Sequence, residues 1–199
     1  MKKKIEIRKS INTDIVEYYK TLIADYKNYV GREFWATDSR YVDVIKYISE
    51  HELEDAIKIA VFSRDRNGKI EAHQRRIKLS SMQDFAQNLV AVKDEIKNAK
   101  NFDELYNILW ANKVSGIGDL TAYDICLRIG VYLKILPDYI YIHAGCKEGL
   151  QNMLKRKVKS EVIKKEELPE PFCSCDLVPG ELEDFFCNYR KHLKVTYQP

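Results

Sequence analysis

Long apolar runs are missing. Charges interrupt every candidate before the ~18 consecutive apolar residues that a membrane-spanning helix needs. Turn formers are scarce, with eight glycines and five prolines in 199 residues, too few for an all-β chain built on tight turns. The five cysteines are odd in number and follow no framework spacing, which argues against a disulfide scaffold and for a reducing cytoplasmic setting. The basic opening MKKKIEIRKS has no apolar stretch behind it, so no secretory signal is expected. No internal repeat and no flexible linker divides the chain. What is present is globular: 45% hydrophobic and 32% charged residues, in a length that can bury a sizeable core.

The net charge of +3 conceals segregation. Arg64 to Lys78 holds six basic and two acidic residues, and Lys155 to Lys165 holds six basic and one acidic. The first ten residues add Lys2, Lys3, Lys4, Arg8 and Lys9 against Glu6. Glu166 to Asp184 carries seven acids and no base. Such a distribution suits a molecule with one side turned to phosphate.

Apolar spacing of three and four predicts helices over 11–30, 41–47 and 53–62. Arg66-Asn67-Gly68-Lys69 reads as a turn, with a small β element around residue 68. A helix capped by Ser80 or Ser81 is expected to run through Ile96, and Asn101 with Glu104 opens another to about Lys113. Further helices are expected from Gly118 to about Leu133, from Ala144 to Arg156, and from Pro179 onward. The stretch Tyr139 to His143 reads as extended, and Glu166 to Pro179 as a long surface loop. The expected fold is a single compact all-α domain over 1–199. Its parts are N-terminal helices (1–79), a core (80–156), and a loop with a last helix packing back on that core (166–199).

The informative segment is Val114-Ser115-Gly116-Ile117-Gly118-Asp119-Leu120-Thr121-Ala122-Tyr123-Asp124-Ile125. Two glycines around one apolar residue make a tight turn that another molecule can approach closely. The helix after it offers free amide hydrogens, an anion site suited to a phosphate. Val114, Gly116, Ile117, Gly118, Ala122 and Ile125 fill the pattern apolar-x-Gly-apolar-Gly-x-x-x-Ala-x-x-apolar, and the segment resembles the helix-hairpin-helix DNA-binding family. The resemblance implies sequence-independent contact with the DNA backbone through Ser115, Gly116, Ile117 and Gly118, supported by Lys113 and Thr121. It also implies a monovalent cation held by hairpin carbonyls. Arg75, Arg76, Lys155, Arg156 and Lys157 are candidate phosphate clamps if the fold brings them to the hairpin. Asp119 departs from the pattern, because a carboxylate there repels phosphate. Bulky replacements of Gly116 and Gly118 are expected to weaken DNA binding without unfolding the chain.

More distantly, residues 80 to 156 resemble the DNA glycosylases of the helix-hairpin-helix type, which implies an all-α fold and base excision. In those enzymes an aspartate follows the hairpin by one helix and a loop, directly before the next helix. Asp138 lies at nearly that interval, whereas His143 holds the place before the helix. These two are the candidate catalytic residues. Leu120 stands where lyase-competent members have lysine, so a Schiff-base route is not implied. A third possibility is a protein-interaction module whose hairpin only packs helices. Cys146, Cys173, Cys175 and Cys187 match no metal-ligand spacing and read as buried thiols, so no metal is expected. Phe34 and Trp35, large aromatics in a loop, are candidates for stacking on bases.

Overall fold

The computed structural model describes residues 13–30, 39–64, 67–68, 70 and 74–194. The N-terminal basic run, Phe34, Trp35 and His73 lie outside them. Helix dominates: α1 (Thr13–Val30), α2 (Ser39–Ser49), α3 (Leu53–Phe62), α4 (Leu79–Ala91), α5 (Lys93–Asn98), α6 (Phe102–Ala111), α7 (Asp119–Leu133), α8 (Ala144–Leu154) and α9 (Pro179–Asn188). Two two-residue strands, β1 (Ile140–Tyr141) and β2 (Val162–Ile163), pair antiparallel with Ile140 opposite Ile163. The all-α expectation holds. Around residue 68 the β element is one antiparallel bridge, Arg64 to Ile70, with Gly68 at a φ of 74°.

Local chemistry sets the boundaries. Asn101 caps α6, accepting from the Glu104 amide at 2.8 Å, while the Glu104 carboxylate accepts from the Lys100 amide at 2.6 Å. Pro179 opens α9, where a missing amide hydrogen costs nothing. Two expectations need correction. The helix through Ile96 is broken at Val92, whose φ of −107° and ψ of 22° end α4 before α5 begins. Its N-cap is Lys78, and neither Ser80 nor Ser81. The acidic segment from Glu166 to Pro179 is also no mere surface loop, because Leu168, Phe172 and Leu177 are buried.

Among the described residues the buried side chains form two clusters. The first joins α2 to α7 with Ile117 and Tyr141. The second joins α1, Ile140, α8, the segment from Val158 to Leu177, α9 and Leu193. Strand β1 is the seam, since alternate side chains of a strand point to opposite faces: Ile140 enters the second cluster and Tyr141 the first. Helix α7 is the central element, buried continuously from Ala122 to Gly130. Helices α8 and α9 approach so closely that a Cβ on Gly149 would lie 2.1 Å from the Phe186 carbonyl oxygen. Most of the described aromatic residues lie in the core or pack against it. Tyr123 and Tyr141 sit 5.2 Å apart between centroids, with Phe102 at 5.9 and 5.4 Å from them.

Candidate nucleic-acid interface

Helix α6 ends at Ala111, and the chain then turns through Lys113 to Gly118 into α7. The Ile117 amide donates to the Val114 carbonyl at 3.2 Å, closing the turn. Gly116 supplies the φ of 92° that this closure needs, a region L-residues seldom enter. Ile117 points inward and is only 4% exposed. Ser115, Gly116 and Gly118 face solvent. Gly118 is the N-cap of α7 and has no side chain to satisfy the first-turn amides. The Ala122 amide donates to the Gly118 carbonyl at 3.0 Å, which leaves the amides of residues 118 to 121 without helical acceptors.

The N-terminus of α4 adjoins this turn. A Cβ on Gly116 would meet the Ser81 hydroxyl at 2.9 Å, and the Asn88 side-chain amide donates to the Asn112 carbonyl at 3.1 Å. Arg75 and Arg76 occupy the short 3-10 turn Gln74–Arg76 just upstream of α4, and both are exposed. Arg75 is tethered, its Nε donating to the Ile70 carbonyl at 2.9 Å. Lys113 is engaged twice. Its ammonium lies 3.2 Å from an Asp119 carboxylate oxygen and 3.3 Å from the Trp110 ring centroid. Thr121 is half-buried, and Leu79, Trp110 and Leu120 are exposed nearby along these elements.

Lys155, Arg156 and Lys157 stand elsewhere. They follow the C-terminus of α8, an 11-residue helix roughly 16 Å long, whose opposite end meets α7. The fold does not bring them to the hairpin turn.

That opposite end holds a second group of polar side chains. His143 is the N-cap of α8, and its ring sits 4.5 Å from that of Tyr123. Its Nε2 is buried and meets no hydrogen-bond partner among the described residues. Burial pushes the imidazole pKa down, against the opposing pull of Asp124 and then Asp119, so the ring is neutral at pH 7. Asp138 is exposed, in the segment before β1, and does not precede a helix.

Sequence reasoning missed two carboxyls there. Asp124 is 7% exposed and Glu183 8%. Burial drives the Glu183 carboxyl well above the usual range, and the charges of Asp184 and then Asp124 raise it further. Asp124 acts electrostatically on both His143 and Glu183. Leu120, 45% exposed, lies one turn above Asp124 on the same side of α7. The signal for Asp124 was its place inside the apolar run from Ala122 to Gly130. Glu183 sits among Glu181 and Asp184, where a carboxylate reads as solvent-facing.

No family model, curated protein or solved structure matches the chain.

Proposed function

We propose that this protein binds the sugar–phosphate backbone of duplex DNA through the 113–121 hairpin, without strong sequence preference. One observation carries the reading: an outward-facing glycine turn continues directly into a helix N-terminus that no side chain caps. Amides held in that arrangement complement a phosphate through both their hydrogens and the helix dipole. The exposed Arg75 and Arg76, upstream of the helix whose Ser81 touches Gly116, add charge on the approach. Phosphate contacts of this kind position a duplex and carry no sequence information. The carbonyls of Val114 and Gly118 accept from Ile117 and Ala122, and the second lone pair of each would be the donor to a monovalent cation at the turn. Such an ion would lend positive charge against the phosphate.

The test is an anisotropy titration of labelled duplex and single-stranded DNA at several salt concentrations, with the wild type and Gly118→Val. A log–log slope of about −0.9 per neutralised phosphate is expected for the wild type, with weaker binding by the variant. Equal affinity of a folded Gly118→Val protein sinks the reading.

A second reading, base excision, is supported by the polar group beneath Leu120. A nucleotide anchored at the turn would place its sugar near Asp124, Glu183 and the neutral His143. A carboxylate there stabilises a cationic sugar, while a neutral imidazole accepts a proton from water. Asp138, exposed to solvent, has no part in this form of the reading. Incubation with duplexes bearing modified bases should release the base from at least one of them, and Asp124→Asn should abolish the release. Intact duplexes throughout remove the reading.

A further inference from the structure

The basic segment after α8 does not join the hairpin, and the place it does occupy is the more telling. Lys155 adopts a left-handed φ of 53° and turns the chain off the helix. The Val158 amide then donates to the Gln151 side chain at 3.1 Å, folding the segment back. The C-terminal turn His192–Lys194 arrives at the same spot. The Lys155 ammonium donates to the Lys194 carbonyl at 3.1 Å, and the Asn152 side-chain amide to the Arg190 carbonyl at 2.8 Å. Lys155, Arg156, Lys157, Lys159, Lys191 and Lys194 are thereby gathered at one end of α8, all exposed. None of the six forms an ion pair among the described residues, whereas Arg190 is paired with Glu148 at 3.2 Å. Met153, Val158 and Leu193 are buried beneath, so the platform is anchored in the core. Of the acidic groups around it, Glu148 is taken by Arg190, Asp25 accepts from the Tyr189 hydroxyl at 2.7 Å, Glu17 is paired with Lys20 at 2.8 Å, Asp14 lies one turn from Tyr18 on α1, and Glu161 follows in the chain.

Compensation of the helix C-terminus does not account for this density. The macrodipole places only about half a negative charge there, which one lysine offsets. Six cations leave a large excess. We propose that this end of α8 is a second contact for a nucleic-acid backbone, distinct from the hairpin. Its chemistry is that of a polyanion site, with multiple ammonium and guanidinium groups on a fixed base. Among the described residues, none of the six strongly exposed large apolar ones (Leu79, Trp110, Leu120, Leu136, Val162, Val178) belongs to the platform, so no described residue supplies the apolar anchor that seats a basic patch on a bilayer. Where the hairpin also binds, the two contacts are separated by about the length of α8 and lengthen the footprint on one duplex. That extension rests on the hairpin reading, while the patch itself does not.

The experiment is a two-by-two comparison on a labelled 20-base-pair duplex (a length of roughly 68 Å at 3.4 Å per base pair, enough to span both contacts). Wild type, Gly118→Val, the triple variant Arg156→Glu/Lys157→Glu/Lys159→Glu, and the combination are titrated from low to moderate salt. All three reversed side chains are exposed, and circular dichroism confirms folding. The triple variant is expected to lower the log–log salt slope by about 3, at ~0.9 per lost phosphate contact, and to weaken binding at low salt at least tenfold. An unchanged slope and affinity overturn the proposal. A loss in the triple variant with none in Gly118→Val keeps the patch and removes the hairpin, and the reverse result removes the patch alone. Wild type that binds no duplex overturns both. Tighter binding of wild type to vesicles containing phosphatidylserine than to the duplex, lost in the triple variant, assigns the patch to lipid and overturns the proposal as well.

Discussion

The two hairpin glycines should respond to alanine to very different degrees. Gly116 has a φ of 92°, and a Cβ there would meet the Ser81 hydroxyl at 2.9 Å and its Cβ at 3.5 Å. Forcing an L-residue into left-handed backbone costs ~1–2 kcal/mol. The hydroxyl is the mobile end of a side chain and can rotate away, so the steric part adds less, under about 1 kcal/mol. Gly116→Ala should therefore lose about 2 kcal/mol, a fall in Tm of roughly 4–8 °C for a chain of this size. Gly118 has an ordinary φ of −82°, and a methyl placed on it would have nothing within 4 Å. Alanine is the poorer N-cap by about 1 kcal/mol, but at this unstrained position it also removes about 0.4–1 kcal/mol of freedom from the unfolded chain, so the net Tm shift should be about 2 °C or less. Thermal unfolding followed by circular dichroism measures both. Ser81→Ala in the Gly116→Ala background separates the causes: relief of the steric part restores less than half of the loss if backbone strain dominates. Full restoration by Ser81→Ala, or equal Tm changes at the two glycines, would refute the reasoning. The same contrast corrects the expectation that both glycines tolerate bulk, and it makes Gly118→Val the cleaner probe of binding.

Three other outcomes are expected. Gly149→Ala should prevent folding, because its methyl would meet backbone of Phe186 at 2.1 Å, which cannot move without separating α8 from α9; a soluble variant with wild-type Tm would contradict that contact. Glu183→Gln should stabilise increasingly with pH. The folded carboxyl pKa lies above its unfolded value, so the wild type has its full Glu183 contribution below the ordinary glutamate range and loses it progressively as pH rises above that range. Tm measured across pH 4–8 should show the variant's advantage widening upward, and a constant gap would mean that Glu183 is solvated. Asp119→Lys should tighten duplex binding, since it removes a carboxylate beside the phosphate site and frees Lys113 from its 3.2 Å pairing. Stability should fall by no more than ~1 kcal/mol, as the Asp119 carboxylate is largely exposed; unchanged affinity in an anisotropy titration would turn the hairpin away from DNA.

The hairpin was legible because its signal is local: glycine at a position needing positive φ, an apolar plug, and a small residue one turn into the next helix. The helices were legible for the same reason, in the spacing of Ile15, Tyr19, Ile23 and Tyr26 along α1, for example. What local pattern cannot express is long-range placement. Ile140 and Tyr141 are neighbours in sequence yet serve different hydrophobic clusters, which only the pairing with β2 decides. Glu183 looks like a surface carboxylate until α9 is laid across α8, whereas Asp124 stands inside an apolar run that α7 buries on every side. Phe172 and Leu177 were hidden in an acidic, proline-containing stretch whose composition reads as loop. The separation of Lys155–Lys157 from the hairpin likewise depends on which end of α8 docks at α7.

The second hydrophobic cluster is assembled from both ends of the described chain. Tyr18 donates to the carbonyl of His192 at 3.2 Å across 174 positions, and Lys27 pairs with Asp176. On a ribosome adding ~5–20 residues per second, α1 would emerge roughly 9–35 s before its partners. Until Ile140 and α8 follow, the apolar stripe of Ile15, Tyr19, Ile23 and Tyr26 has none of its own cluster to pack against, and the cluster stays incomplete to the end of that interval, while α2 to α7 can already close the other one. Synthesis thus imposes an order that refolding from denaturant does not: centre first, then the two ends together. A nascent chain stalled before α9 would hold α1 as an unsheltered amphipathic helix, a natural client for a holdase chaperone.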